Sequence, residues 1–362
     1  MAELDGFMRR AIELAEKARG NTHPNPLVGA VIVEDGKIVA EGFHACAGTP
    51  HAERVALNAL GRNPKSGATL FVTLEPCSTH GRTGACTEAI LAAGISRVVV
   101  GATDPNPAHA GRGLEILREH GVEVVSGVLE QECKNLNPIF NYNIVHRSPL
   151  LAAKCAITHD GKMFLVAGTQ SRITGDAARA NVMRERRYFP AIATSSGTVL
   201  CDNPSLTVRI PGESFACPTR FVFDRRGRTL DCAERLNVFS DAFRGKTIFI
   251  TVPGAEKRAR EKFAGTEVRI WVLPDSPAGF WHSFREKCNE EGITGVYFEC
   301  GPTFLRGLFA AKQADYLYAY VAGTPEKSPE KFFSDDACFR FCDVRTFTDG
   351  DREYSGEINY FR

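Results

Sequence analysis

Four residues of this chain have the types and spacing of a zinc-dependent catalytic site. His51 is followed two positions later by Glu53, and Cys77, which a proline precedes, is followed nine positions later by Cys86. One imidazole and two thiolates can hold a tetrahedral zinc ion and leave a coordination position open for water. Zinc lowers the pKa of that water, and a glutamate beside it can pass a proton to a departing amine. The pattern predicts zinc-dependent deamination, with His51, Cys77 and Cys86 as metal ligands and Glu53 as the catalytic residue.

Two simpler interpretations compete with this one. A His-x-Glu pair and a Pro-Cys pair each occur by chance in many proteins, so neither motif is specific on its own. The zinc could also be structural, beside an incidental glutamate, and the protein a binding module. A structural site predicts bound zinc and no activity both for the native chain and for the Glu53→Gln variant. Metal analysis together with that variant therefore separates the interpretations.

The bulk composition is that of a soluble globular protein of two domains. The 362 residues exceed one ordinary domain, and 43% hydrophobic and 24% charged residues are ordinary values. A net charge of +1 gives no indication of nucleic acid or an anionic membrane as a partner. No apolar run approaches the roughly 20 residues that span a bilayer, and the N-terminus resembles a charged helix rather than a signal peptide. We therefore expect a cytoplasmic protein whose 12 cysteines are free thiols or metal ligands.

Strand and helix patterns alternate along both halves of the chain, which predicts an α/β layer fold with parallel strands. The polar segment His-Arg-Ser-Pro at 146–149 is the best boundary, so we predict domains at 1–146 and 147–362. In the first half the predicted helices are 5–19, 51–60, 86–94, 111–121 and 128–147, and strands are predicted at 68–76, 95–107 and 122–127, after a hairpin that turns at 35–36. In the second half the predicted helices are 175–188, 281–290 and 302–311, and the predicted strands are 150–158, 190–194, 219–223, 247–252, 268–273, 294–298 and 315–321.

The second half contains two turns that suit an anion. Residues 195–209 form a Gly-Thr turn followed by a polar loop, and residues 298–304 end a strand in Gly-Pro before a helix. Unpaired amides at such turns point toward a ligand and favour phosphate. Two of them at strand ends of one α/β domain are consistent with a dinucleotide cleft, although no Gly-x-Gly-x-x-Gly fingerprint follows a strand.

The first half carries further motifs around the zinc ligands, namely NPLVGAVIV, HAERVAL, TLEPCSTHGRTGAC, DPNP and AGRG. With these motifs, residues 1–146 resemble the deaminase half of a known family, the bifunctional deaminase–reductases of riboflavin biosynthesis. The resemblance implies a cytidine-deaminase-like three-layer domain that deaminates 2,5-diamino-6-(5-phosphoribosylamino)pyrimidin-4-one. It also implies that Asn25 and His44 line the pyrimidine pocket and that Arg82 contacts the phosphate.

The second half carries the motifs AAKCAITHDGK, RITGDAAR, GTVLCDNPSLTVR and ECGPTF. With them it resembles the reductase half of the same family, which has a dihydrofolate-reductase-like fold and uses NADPH to reduce the ribosyl chain to ribityl. The implied NADPH-binding positions are Lys154, Asp160, Arg172, Thr198, Asp202, Gly301, Pro302 and Thr303. The implied positions for the ribose phosphate substrate are Arg186, Leu206, Arg209 and Glu299.

Both halves depart from the family pattern at a few positions. The family has a histidine where Thr79 stands, and His80 is the neighbouring imidazole that could replace it as a substrate contact. The family often has a tryptophan where Arg172 stands, and the segment after Val321 is polar and charged instead of apolar. These departures keep a second interpretation open, in which a working deaminase is joined to a degenerate, non-reducing C-terminal domain.

Three further expectations concern partners. The neutral net charge and the lack of a basic stripe with aromatic residues argue against a nucleic-acid-binding deaminase. Arg225 and Arg226 follow a strand, where they could contact the 2′-phosphate of NADPH, although a solvated turn is the simpler interpretation. The family resemblance implies a small-molecule substrate and a homo-oligomer.

Overall fold

The computed structural model contains two compact units, Met1–Arg147 and Ser148–Arg362. Within the described part of the chain, no helix is both long and apolar enough to cross a membrane. The residues that the structure describes are 2–79, 84–163, 173–213, 216–325 and 337–360.

The first unit alternates helices and strands nearly as predicted. Its strands are β1 (Gly29–Glu34), β2 (Lys37–Phe43), β3 (Thr69–Leu74), β4 (Arg97–Ala102) and β5 (Glu123–Ser126). Its helices are α1 (Ala2–Glu16), α2 (Ala52–Leu60), α3 (Cys86–Ala93), α4 (Arg112–Glu119), α5 (Glu130–Asn135) and α6 (Pro138–His146). The single helix predicted over 128–147 is in fact two helices, because Pro138 cannot continue α5 and instead begins α6.

The five strands form one sheet in the order β2-β1-β3-β4-β5. Strands β3, β4 and β5 are parallel, as predicted, whereas β1 is antiparallel to both of its neighbours. The predicted hairpin turn joins β1 to β2, and both of its residues have positive φ, 50° at Asp35 and 71° at Gly36. A two-residue turn of this kind matches the twist of the strands it connects. The predicted parallel arrangement therefore holds for β3, β4 and β5, and the antiparallel pair of β1 and β2 is the predicted hairpin.

Helices cover both faces of this sheet, so the first unit has three layers. Helices α2, α3 and α4 bury Ala56, Ile90 and Leu117 against one face. Helices α1 and α5 bury Met8 and Cys133 against the other. A fully buried aliphatic side chain contributes about 1.5–3 kcal/mol relative to an exposed one, so these two apolar layers hold the strand ends in place.

The second unit repeats the alternation on a larger scale. Its strands are β6 (Leu150–Ile157), β7 (Ala191–Ser195), β8 (Thr219–Phe223), β9 (Thr247–Thr251), β10 (Arg269–Val272), β11 (Gly295–Glu299), β12 (Tyr316–Val321), β13 (Ala337–Thr346) and β14 (Arg352–Tyr360). Its α-helices are α7 (Asp176–Tyr188), α8 (Ser196–Asp202), α9 (Asn237–Ser240), α10 (Pro253–Lys262), α11 (Pro277–Glu290) and α12 (Pro302–Ala310), and two short 3₁₀ helices span Leu230–Arg235 and Arg244–Lys246.

These strands form a single sheet in the order β10-β9-β8-β7-β11-β6-β12-β14-β13. Strands β6 to β12 pair in parallel, and β12, β14 and β13 pair antiparallel. Helices α11 and α12 pack an aromatic core on one face, and α8 and α10 pack on the other. Because the parallel strands all end at one edge, the loops that follow them meet there.

Several elements of the second unit differ from the prediction, among them α9 and the two 3₁₀ helices, which were not predicted. Residues 196–202, predicted as a polar loop, form the short helix α8, whose first turn Ser195 caps by accepting a hydrogen bond from Thr198 N at 3.4 Å. Helix α10 was not predicted. The terminal hairpin of β13 and β14 was also missed, because the buried side chains of β14 include Glu353 and Ser355 and therefore lack an apolar alternation.

Candidate active sites

The three predicted zinc ligands come together at the ends of three elements. His51 directly precedes α2, Cys77 follows β3, and Cys86 is the first residue of α3. Their ligand atoms all lie within 4.8 Å of one another. His51 Nδ1 is 3.5 Å from Cys77 Sγ and 3.3 Å from Cys86 Sγ. Zinc bonds of about 2.0 Å to nitrogen and 2.3 Å to sulfur, at tetrahedral angles, place these atoms about 3.6 Å apart, so the donor set fits the ion.

The start of α3 favours the anionic form of Cys77. Cys86 N donates to Cys77 O at 3.0 Å and to Cys77 Sγ at 3.4 Å, and Thr87 N donates to Cys77 O at 3.2 Å. Hydrogen bonds from Cys86 and His51 to this sulfur lower the pKa of Cys77 well below its usual range. Thiolate is the form of cysteine that binds metal, so these hydrogen bonds favour the metal-binding form of Cys77.

Glu53 lies in the first turn of α2, two residues beyond His51, and is only 4% exposed. Burial raises the pKa of its carboxyl group. A carboxyl group whose pKa is raised toward neutrality can both accept and return a proton, which is what a proton-transfer residue must do.

Asn25 and His44 form a fixed pair beside this cluster. His44 Nδ1 is 3.2 Å from Pro50 O, which can only accept, so Nδ1 carries the hydrogen. His44 Nε2 therefore accepts from Asn25 Nδ2, 3.1 Å away. Burial lowers the pKa of His44, which keeps this imidazole neutral. The ring of His44 also meets that of His51 edge to face, with centroids 5.5 Å apart.

Glu75 is a site-supporting residue that the sequence analysis did not single out. Its buried carboxylate accepts hydrogen bonds from Asp104 N at 3.1 Å, Gly111 N at 2.9 Å and Gly113 N at 2.9 Å. A Cβ atom on Gly113 would lie 2.2 Å from Pro76 O, so the N-terminus of α4 packs directly on the residue before Cys77. The only signal in the sequence is that this acidic residue ends an apolar strand.

A cavity of about 600 Å³ opens beside β6 and β11 in the second unit. Lys154 and Glu299 lie opposite each other in the register of these strands. The residues predicted for the reductase site that line the cavity are Lys154, Arg186, Thr198, Asp202, Leu206, Arg209 and Glu299. Arg179 and Asn237, which were not singled out, line it as well. The lining includes four basic side chains and two acidic ones, a net charge of +2 that suits a phosphate.

Arg186 and Glu299 form a buried bidentate pair in this cavity. Arg186 Nε donates to Glu299 Oε1 at 2.5 Å, and Nη2 donates to Oε2 at 2.9 Å. The remaining terminal nitrogen donates to Thr207 O at 3.1 Å. Burial alone would raise the pKa of Glu299, but the charge and hydrogen bonds of Arg186 lower it, so the carboxyl group stays ionised.

The two glycine turns predicted to bind an anion are in contact. Gly301, the residue that caps α12, donates from its backbone nitrogen to Thr198 Oγ1 at 3.2 Å. Pro302 opens α12, and Thr303 is exposed on its first turn. Asp160 lies apart from the cavity lining, in the turn after β6, where it pairs with Lys162 at 2.7 Å.

Three predicted site residues, His80, Arg82 and Arg172, lie outside the described residues. Arg225, considered for the 2′-phosphate, contacts Asp275 through its guanidinium and lies 5.2 Å from the centroid of the Phe280 ring. It therefore already has an anionic partner, which weakens that hypothesis.

Comparison with known proteins agrees with both halves of this geometry. The family described as "Cytidine and deoxycytidylate deaminase zinc-binding region" matches residues 1–102, and the family described as "RibD C-terminal domain" matches residues 149–324. The riboflavin biosynthesis protein RibD of Actinobacillus pleuropneumoniae is 49% identical over 324 residues, which cover 89% of this chain and 84% of the relative. RibD of Aquifex aeolicus is 40% identical over 88% of this chain and 87% of its own length. This chain belongs to the RibD family.

Solved structures of the RibD family superpose on the whole chain. Acinetobacter baumannii RibD matches with a TM-score of 0.77 and 30% identity over 99% of both chains. A diaminohydroxyphosphoribosylaminopyrimidine deaminase/5-amino-6-(5-phosphoribosylamino)uracil reductase from Thermotoga maritima matches with a TM-score of 0.77 and 34% identity over 99% of both chains. The predicted pairing of a cytidine-deaminase-like domain with a dihydrofolate-reductase-like domain is confirmed. The protein is a bifunctional deaminase and reductase of riboflavin biosynthesis, and the interpretation with a non-reducing C-terminal domain is not favoured.

Proposed function

We propose that residues 1–146 form a zinc-dependent deaminase acting on 2,5-diamino-6-(5-phosphoribosylamino)pyrimidin-4-one. Residues 147–362 would then form an NADPH-dependent reductase that converts the ribosyl chain of the deaminated product to ribityl. The observation that carries the first half is the spacing of His51, Cys77 and Cys86, because the two N···S distances of 3.5 and 3.3 Å lie within a few tenths of an ångström of those in a tetrahedral zinc site. Both substrates are small molecules, in agreement with the family.

His51, Cys77 and Cys86 are the residues that hold the metal in this proposal. Zinc bound by three protein ligands keeps one position open, where it makes a water molecule acidic enough to react near neutral pH. Two thiolates and one neutral imidazole balance the charge of the ion, and the amides at the start of α3 support the thiolate of Cys77.

Glu53 is the proton carrier of the deamination. It takes a proton from the attacking water as oxygen bonds to the ring carbon, and it returns the proton to the amine that leaves as ammonia. Its burial supports this role, because a desolvated carboxyl group binds a proton more tightly than an exposed one.

Asn25 and His44 orient the pyrimidine in this proposal. The hydrogen bond to His44 Nε2 commits the amide nitrogen of Asn25, and the carbonyl oxygen of that amide can then accept from an N–H group of the substrate. His80 and Arg82 belong to the loop between the two cysteines and are proposed to contact the rest of the substrate, Arg82 at its phosphate.

The cavity of the second unit is the proposed reductase site. Bound there, NADPH would supply the hydride, and a proton from solvent the remaining hydrogen, for reduction of the carbonyl of the opened ribose. Thr198, Asp202 and the turn Gly301–Thr303 hold the cofactor, with Lys154, Asp160 and Arg172 at the further positions that the family resemblance implies. Arg186, Leu206, Arg209 and Glu299 bind the ribose phosphate. The net positive lining and the hydrogen bond between the two glycine turns support this arrangement.

The deciding experiment is mass spectrometry of the products formed from the diaminopyrimidine ribosylamine phosphate, with and without NADPH. We expect the deaminated species alone without NADPH and the ribityl species when NADPH is added. The Glu53→Gln variant should keep its zinc and lose deamination by roughly 10²–10⁴-fold, yet still reduce deaminated substrate. Deamination without any consumption of NADPH would contradict the reductase assignment, and an active Glu53→Gln variant would contradict the role of Glu53.

Assembly and location remain predictions from the sequence and the resemblance. We infer a homo-oligomer, which light scattering of the purified chain tests directly, and a cytoplasmic location.

A further inference from the structure

Arg220 is a fully buried arginine in β8 that lies outside both sets of predicted site residues. Its Nε donates to Thr247 Oγ1 at 3.0 Å, and its Nη2 donates to Val238 O at 3.0 Å. Its two terminal nitrogens also pair with the carboxylate of Asp241 at 2.7 and 2.8 Å. A buried guanidinium is tolerated only with a compensating charge and satisfied donors, and this one has both.

The remaining hydrogen bond of Arg220 reaches the wall of the reductase cavity. Its Nη1 donates to Ser205 O at 2.8 Å. Ser205 belongs to the segment 203–209, which we call the cavity loop because five of its residues line the cavity. Arg220 itself is not among the lining residues. It therefore holds the loop through a backbone carbonyl without itself lining the cavity.

The backbone of the cavity loop is strained at the residue after Ser205. Leu206 has a φ of 52°, in the left-handed region, although it carries a Cβ atom. This conformation is unfavourable for a residue that carries a Cβ atom, so surrounding contacts must maintain it. On its other side, Thr207 O accepts from Arg186 Nη1 at 3.1 Å. The guanidinium groups of Arg220 and Arg186 therefore donate hydrogen bonds to the carbonyls on either side of Leu206.

A second clamp fixes the start of the same loop. Asn203 Oδ1 accepts from Asn237 N at 2.7 Å, and Asn203 O accepts from Asn237 Nδ2 at 2.8 Å. Asn237 is the first residue of α9, and the carbonyl of Val238, the next residue, accepts from Arg220. The Asn203–Asn237 pair and Arg220 therefore belong to one connected hydrogen-bond network that holds the cavity loop.

We propose that Arg220 is a positioning residue for substrate binding by the reductase. It keeps the carbonyl of Ser205 in place, which maintains the left-handed Leu206 and so sets the positions of Leu206 and Arg209 in the cavity. The inference rests on the proposed reductase function of this cavity. It assigns a role in substrate affinity to a side chain that the substrate does not touch.

The test is steady-state kinetics of the full-length Arg220→Lys variant with the deaminated substrate and NADPH. A lysine is a point charge and cannot span Ser205 O, Val238 O and both oxygens of Asp241 at once. We expect KM for the deaminated substrate to rise roughly tenfold, while kcat and KM for NADPH change by less than about twofold. The deaminase rate of the same chain serves as an internal measure of the amount of protein in the assay, and urea unfolding of the second unit reports its stability.

Arg285→Lys is the matched control, because Arg285 likewise donates to two carbonyls and a carboxylate, in a half-buried position away from the cavity. It donates to Pro149 O at 3.0 Å, to Gln313 O at 3.0 Å and to Asp315, around the starts of β6 and β12. A purely structural role for Arg220 predicts that both variants lose stability and that neither changes KM. An unchanged KM in Arg220→Lys, or an equal rise in Arg285→Lys, overturns the proposal.

Two further measurements keep the outcomes distinguishable. If Arg220→Lys does not fold, Asp241→Asn removes the charge partner of Arg220 and should raise the same KM by a smaller factor. Hydrogen exchange of the cavity loop tests the positioning role independently of enzyme activity. The backbone amides of the loop should exchange faster in Arg220→Lys but not in Arg285→Lys. A native chain that consumes no NADPH would refute the reductase function, whereas a native chain that works beside an unaffected Arg220→Lys would refute only the positioning role.

Discussion

Glu75→Gln is predicted to loosen the loop that borders the zinc site without removing any metal ligand. The carboxylate of Glu75 accepts three backbone hydrogen bonds, two at Oε2 from Asp104 N and Gly111 N and one at Oε1 from Gly113 N. A glutamine keeps one carbonyl oxygen, which can retain the pair of bonds now made by Oε2. Its NH₂ group then faces Gly113 N–H, a donor against a donor.

The expected cost follows from these contacts. A hydrogen bond to a charged acceptor contributes about 1.5–3 kcal/mol, and a buried donor left without a partner costs about 1–3 kcal/mol. The variant loses one such bond, weakens two by removing the charge, and leaves one buried N–H unpaired. We estimate a loss of about 2–4 kcal/mol in local stability, which corresponds to a roughly 30- to 700-fold larger population of the open loop.

Hydrogen exchange measured by mass spectrometry on residues 104–113, together with zinc content and deaminase kinetics, tests this prediction. We expect faster exchange, a full complement of zinc and a raised KM for the diaminopyrimidine substrate. Glu34→Gln is the control, because Glu34 is also buried but binds Arg62 and Lys65 N at the end of β1. Exchange of residues 104–113 that is unchanged in Glu75→Gln, or equally fast in Glu34→Gln, would refute the reasoning.

Two other predictions concern the zinc ligands and the buried Glu34. Removal of zinc with a chelator should abolish deamination but leave reduction of the deaminated substrate intact, since all three zinc ligands lie in Met1–Arg147. Added zinc should restore deamination, and product analysis measures the two activities separately. The hydrogen bonds from Arg62 and Lys65 N lower the pKa of Glu34 from 4.5 to about 2, so its stabilising effect is complete above about pH 5 and is lost as the pH falls toward 2. Urea unfolding should show the native chain losing its advantage over Glu34→Gln across that interval, and an advantage that does not vary with pH would contradict the assignment.

The sequence predicts best those elements whose own side chains determine them. Strand β4 is an apolar run bounded by a helix that stops at Gly94, and its type and position follow from that pattern alone. Helix α8 was missed because Gly197 together with Asn203 and Pro204 is typical of a loop. The helix forms because Ser195 caps it and Val199 is buried against the sheet, a tertiary contact that no local pattern shows.

The candidate sites divide in the same way. Zinc chemistry is visible in the sequence because the metal restricts residue types so strongly that three ligands and one glutamate suffice to indicate it. The cavity residues of the second unit were found only through resemblance, since Lys154 and Glu299 are 145 positions apart and meet only because β6 and β11 are neighbours in the sheet. Local spacing carries no information about such a pair.

Glu75 and Arg220 escaped the sequence analysis for a common physical reason. Each is a buried charge that binds backbone groups instead of a ligand: Glu75 collects three N–H groups of one loop, and Arg220 donates to the carbonyls of Ser205 and Val238. Backbone groups are present at every residue, so the partner of such a charge leaves no trace in the sequence. Loops at the ends of parallel strands carry the reactive groups, yet they lack the hydrogen-bond ladder that makes the strands rigid. A buried charged side chain is one of the few groups that can hold such a loop by hydrogen bonds in place of that ladder. We therefore expect substitutions at Glu75 and Arg220 to affect substrate affinity more than the chemical step.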